Sequence, residues 1–176
     1  AFVYFTMVKI WGGVPLRTEA MEGYDPAKVQ KARATEEELF TFIKNDIEDA
    51  LGLFPSTAFE TGRNHWSKAA TYALKADVYL WTARRKNGGE TDYRAALGAC
   101  EEVQKIAGIR LLPEFKDVFA YENKGNDEIL MAVNYKLNEA DNNYFDMMHI
   151  SPATISPDIE PEILEIIGAG GGLMEQ

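Results

Sequence analysis

The stretch "NEADNNYF", residues 138–145, crowds side-chain amides, carboxylates and two aromatic rings into one short run. Asn138, Asp141, Asn142 and Asn143 offer planar hydrogen-bonding groups that match the hydroxyls of a neutral sugar. Tyr144 and Phe145 offer flat faces for the C–H side of a pyranose ring. The segment lies in an irregular stretch beyond the helical part of the chain, where binding residues tend to sit on a rigid frame. The same residues also suit a solvated loop that only caps the helices. Trp66, with His65 beside it, pairs an aromatic face with an imidazole in the same way. Its alternative role is to pack at the entry of the helix that follows, as a hydrophobic staple does. Trp11 precedes "GGVPL", where Gly and Pro have backbone reasons to be present, so a corner accounts for that segment better than a sugar platform.

Other chemistries find less support. Two histidines far apart in the chain form no metal motif, and a single cysteine, Cys100, excludes an internal disulfide or a Cys-based zinc cluster. Carboxylates are abundant, so pairs such as Asp46 and Asp49 arise by composition. A glycosidase needs two of them at a set separation across a cleft, and sequence spacing does not supply that. "GAGGG" lacks the Lys-Ser/Thr of a phosphate cradle. No catalytic residue, metal or cofactor is therefore expected. Cys100 falls on the inward stripe of its helix and is expected to be a buried, inert thiol.

The 176 residues carry 28 acidic against 18 basic side chains, a formal net charge of −10. That balance argues against nucleic acid, whose phosphates require a basic footprint, and against an anionic membrane surface. It leaves a neutral partner open, whether sugar or protein. A hydrophobic content of 46%, with nine Phe, eight Tyr and three Trp, suffices for one core. No apolar run reaches bilayer-spanning length. The chain opens at Ala1 in what reads as mid-helix, which leads us to expect a fragment or a processed form.

Helical signals dominate the first 110 residues. Phe2, Phe5, Val8 and Ile10 have near-helical spacing before the Gly12–Gly13 break. Thr35 and Glu38 form a capping-box pattern, followed by the stripe Leu39, Ile43, Ile47, Ala50, Leu51 and Phe54, closed by Pro55. Lys44, Asn45, Glu48 and Asp49 form its polar side. Residues 66–85 are apolar on most faces and rich in alanine, the pattern of a helix buried between neighbours. Trp81 belongs to the core by register. A turn at "KNGGETD" leads into a helix over 93–107, with Ala96, Leu97, Cys100, Val103 and Ile106 inward and Gly108 as its cap. Residues 128–135 alternate Ile129, Met131, Val133 and Tyr135 on one face, which predicts a strand. The fold class is mostly α, with tetratricopeptide-like helical hairpins, irregular loops and minor β. Residues 1–110 would form the hairpin core, and 111–176 a loop-rich part of the same domain.

Several stretches also resemble, in order, the SusD/RagB family of cell-surface nutrient-binding lipoproteins. They are "YFTMVKIWGGVPL", "TEEELFTFIKNDIEDALGLFP", "GRNHWSKAATYALKADVYLWT", "DYRAALGACEEVQKI" and "YENKGNDEILMAVNY". The resemblance covers roughly residues 1–135 and fades beyond. It implies a surface-exposed lipoprotein of the outer membrane that binds a glycan. A SusC-like TonB-dependent transporter would be its partner, and no enzymatic activity is implied. It also implies that the N- and C-terminal parts of the full protein lie outside this chain. The residues themselves leave two other classes open: a helical-repeat scaffold that binds protein or peptide, and a glycoside hydrolase on a helical frame.

Overall fold

The computed structural model describes residues 1–20, 23, 26–59 and 62–135. Ala1–Val133 form one compact unit and Asn134–Gln176 a second. The described part is helical: α1 (Phe2–Trp11), α2 (Pro26–Val29), α3 (Glu36–Leu53), α4 (Lys68–Arg85), α5 (Gly89–Gln104) and α6 (Phe115–Val118), with a 3₁₀ turn at Tyr121–Asn123.

Helix α3 organises the core, and its start follows from local chemistry. The Thr35 hydroxyl accepts from the Glu38 amide at 3.2 Å, and the Glu38 carboxylate accepts from the Thr35 amide at 2.7 Å. Orphan N–H groups at the helix start are thereby satisfied in both directions. The Thr35 amide and hydroxyl, both donating to the Glu38 carboxylate, hold its pKa below the ordinary value. The expected stripe turns inward, with Leu39, Ile43 and Ile47 fully buried. It meets Phe5 and Val8 of α1, Val14 beyond the corner, and Val78 of α4. Trp81 packs against this cluster and sets its ring edge-on to Phe5, centroids 6.3 Å apart.

The "GGVP" corner is structural. Gly12 adopts φ +68°, the left-handed region that an L side chain disfavours. A Cβ on Gly13 would overlap the Ala34 carbonyl oxygen. The returning chain is strapped on by Ala34 N–H to Val14 O at 3.0 Å and by Arg33, which donates to the carbonyls of Gly13 (2.5 Å) and Trp11 (2.7 Å). Trp11 itself does not pack: it is 59% exposed, since it sits on the outer side of the last turn of α1.

Helices α4 and α5 form a hairpin sealed by small residues, with Ala69, Ala70 and Ala83 of α4 and Ala96 and Ala99 of α5 all buried. Ser67, not Trp66, caps α4, accepting from Ala70 N–H at 3.2 Å. Helix α5 begins earlier than the sequence pattern suggests, at Gly89, and its buried face is Asp92, Ala96 and Ala99. Leu97, 60% exposed, and Cys100 therefore point outward, contrary to expectation. The physical reason is that a buried polar residue, Asp92, shares the inner face with small alanines. An apolar-stripe reading seeks the largest hydrophobes and so places the stripe one residue off.

Asp92 joins three helices. Its carboxylate accepts from Lys44 of α3 at 2.8 Å and from the Thr82 hydroxyl of α4 at 2.5 Å. Lys44 and Glu48 thus do not lie on a purely solvated face; Glu48 accepts from Lys75 of α4 at 2.9 Å. Burial pushes the Asp92 carboxyl up, but the hydrogen bonds from Lys44 and Thr82, with the Lys44 charge, outweigh it and leave the group below its ordinary value.

The strand expected over 128–135 is absent. Residues 131–135 are irregular, and among the described residues Ala132 N–H to Arg63 O, at 2.8 Å, is the one backbone hydrogen bond they make to a distant segment. Alternation alone does not make a strand, and among the described residues no second edge runs alongside to complete a ladder.

Two stability predictions follow from these contacts. Asp92→Ala should cost about 2 kcal/mol in urea denaturation at neutral pH, the loss of a charge-assisted pair plus an orphaned Lys44. A carboxyl with a depressed folded pKa stabilises above its unfolded value, so the gap between wild type and variant should close as pH falls through and below the ordinary carboxylate range. Gly52→Ala, where a Cβ meets nothing within 4 Å on α3, should raise stability by about 0.5–1 kcal/mol. Gly13→Ala should lower it by about 1–3 kcal/mol; thermal or urea melts of both variants check the contrast.

Candidate functional site

Phe54 and Trp66 stand together where α3 ends and α4 begins. Pro55 and the turn after it carry the chain out of α3, and Ser67 caps α4, so Trp66 is fixed one residue before a helix rather than within it. The indole is 41% exposed. One neighbour is the Phe2 ring of α1, with centroids 5.6 Å apart and planes inclined by 57°. Trp66 therefore packs at the helix entry against α1, yet keeps part of its surface open.

Two shallow depressions share Trp66 and Phe54 as walls. The larger, about 300 Å³, runs between α1, α3 and α4 and includes Phe2, Asp46, Ala50, Thr71 and Leu74. The smaller, about 110 Å³, is bounded by Pro55, Ser56, Phe59 and Gly62. The surface is thus largely aromatic and aliphatic, with few polar groups at hand. Thr71 donates to Ser67 O at 2.9 Å, which engages its hydroxyl within the helix start. His65 is exposed and its Nδ1 lies 3.0 Å from Asn64 Oδ1. This arrangement can hold a ring by dispersion and C–H contact against an aromatic face.

The turn that carries Trp66 is anchored from below by Arg63, which sequence reasoning did not single out as a site residue. Its side chain is 10% exposed. Nη2 donates to Gly108 O at 2.7 Å and lies 3.8 Å from the Asp127 carboxylate. The guanidinium lies over the Phe59 ring, 3.4 Å from its centroid. Burial lowers the pKa of this group and Asp127 raises it, with burial the larger effect. An Arg whose partners are the Gly108 carbonyl, Asp127 and the Phe59 ring leaves no periodic signal; the nearest hint was its place in the "GRNHW" segment.

Of the sequence-predicted site residues, Trp66 lies among the described residues, partly exposed and against the Phe2 ring. Asn138, Asp141, Asn142, Asn143, Tyr144 and Phe145 lie outside the described residues. Among the described residues no three His, Cys, Asp or Glu side chains gather as a metal site, and no helix is long and apolar enough to cross a membrane.

Residues 1–80 match the model of a SusD-like family described as starch-binding and associating with the outer membrane. A SusD-like protein of Bacteroides ovatus is 30% identical over 138 residues, covering 77% of this chain and 24% of the relative. The structure of NanU of B. fragilis superposes with a TM-score of 0.75 at 34% identity, over 84% of this chain and 29% of that one. A structure described with a xylogluco-oligosaccharide superposes at 0.62 with 28% identity, over 76% of this chain and 27% of the other. The chain spans about a quarter of the length of the curated Bacteroides relative.

The burial difference between two aromatics yields a prediction. Trp66→Ala should cost less than about 2 kcal/mol because the ring is only half covered, whereas Phe5→Ala, fully buried, should cost about 3–5 kcal/mol. Paired urea titrations separate the two.

Proposed function

Because the chain belongs to the SusD-like family, we propose that the protein binds oligo- or polysaccharide at the cell surface for uptake. Its partner would be a SusC-like TonB-dependent transporter in the outer membrane, where the protein would sit as a surface-exposed lipoprotein. The observation that carries the reading is the family match over residues 1–80, whose model is described as starch-binding. A solved relative described with a xylogluco-oligosaccharide supports a glycan as the ligand class.

The mechanism is capture without chemistry. Trp66 would supply a stacking face beside Phe2 and Phe54, and Asn138, Asp141, Asn142 and Asn143 would take the sugar hydroxyls, with Tyr144 and Phe145 as further ring faces. A neutral ligand suits a chain of net charge −10, which would repel an acidic polymer at low ionic strength.

The test is electrophoresis of the full-length protein through native gels containing starch, xyloglucan or other neutral polysaccharides, with released reducing ends assayed in the same mixtures. Retardation by one polysaccharide with no release is the expected outcome. Trp66→Ala and Tyr144→Ala should each weaken binding several-fold, the worth of about 1 kcal/mol for an aromatic face. Release of reducing ends that disappears on neutralising one carboxylate would instead establish a hydrolase. Binding of peptides, with polysaccharide ignored, would establish a helical-repeat scaffold.

A further inference from the structure

Arg63 meets two parts of the fold. On one side its guanidinium covers Phe59, and Phe59 forms a wall of the smaller depression with Trp66. On the other side it holds the irregular stretch that follows α5. Nη2 donates to Gly108 O, Asp127 faces it, and the Arg63 carbonyl accepts from Ala132 N–H at 2.8 Å. Gly125, at φ +71° in the left-handed region, lies beside the Arg63 stem, where a Cβ would make only an ordinary contact 3.6 Å from Cγ. Asp127 is itself fixed, accepting from Arg110 Nε at 2.8 Å. Gly62 N–H donates to Phe59 O at 3.2 Å. The guanidinium and the ring it covers are therefore set by one short turn and clamped from the far side.

We propose that Arg63 is the positioning residue of the Trp66 site: it fixes Phe59 as the wall facing Trp66 and so tunes affinity for a neutral oligosaccharide. The inference rests on the glycan-binding reading above. Planarity is what the role needs. A guanidinium covers a ring face while its edge donates to Gly108; a lysine ammonium can replace the charge and one hydrogen bond but cannot lie flat on the ring. A residue that served only to staple residues 106–133 would tolerate Arg63→Lys in ligand binding as long as the staple held.

The experiment is isothermal titration of the full-length protein with xylogluco-oligosaccharide and with maltoheptaose, for wild type, Arg63→Lys, Phe59→Leu and the double variant. Amide exchange at Ala132 is followed in each. Arg63→Lys and Phe59→Leu should each weaken binding of the accepted sugar about threefold to tenfold, with Ala132 still protected. The double variant should be no weaker than the worse single one, because both remove the same stack. Unchanged affinity in either single variant, or losses that multiply in the double, overturns the proposal while leaving glycan binding intact. If Arg63→Lys frees Ala132, Phe59→Leu decides alone by the same criterion. Failure of the wild type to bind either sugar overturns this inference together with the reading it rests on.

Discussion

The inner face of α3 is the constraint on which the rest depends. Leu39, Ile43 and Ile47 are fully buried, and each neighbouring helix reaches the core by meeting them: α1 through Phe5 and Val8, α4 through Val78 and Trp81. Burying such side chains is worth about 1.5–3 kcal/mol each, and their branched, inflexible shapes fix how close the partners come. The capping box at Thr35 sets where that face starts, so a two-residue device determines the register of the whole seam. The Gly12–Gly13 corner is subordinate to it, since it returns the chain to the point where Ala34 can precede the cap.

A second, polar layer makes the packing specific. Alanines at the α4–α5 contact allow close approach but say little about rotation, because small side chains interlock weakly. Asp92 supplies the missing information, since only one rotation of α5 brings its carboxylate to both Thr82 and Lys44. A buried polar group with one satisfying arrangement penalises every other. The same logic holds the irregular stretch after α5 in place. Asn126 donates to the carbonyls of Val118 (3.0 Å) and Asn123 (2.9 Å), and Glu128 accepts from Leu112 N–H at 2.9 Å, so side chains take the place of a backbone ladder.

The candidate site is a by-product of these two layers. Trp66 stands just outside the cap of α4, with the Phe2 ring against it and part of its surface open. The depressions on either side exist because α3 stops at Leu53 while α4 starts only at Lys68, which leaves a turn to fill the gap.

The sequence by itself determined the local events: the capping box, the apolar seam of α3, the glycine corner, and the order of stretches that marks the SusD-like family. Each depends on residues close together in the chain, where spacing and chemistry suffice. Tertiary structure alone decided the rest. It turned Leu97 and Cys100 outward, because Asp92 found its partners on two other helices. It gave residues 128–135 no strand, and among the described residues no second edge pairs with them. It buried Arg63 beneath Phe59, through contacts with Gly108 and Asp127 far along the chain. Long-range pairing of single polar groups has no period, and periodicity is what a lone sequence reveals.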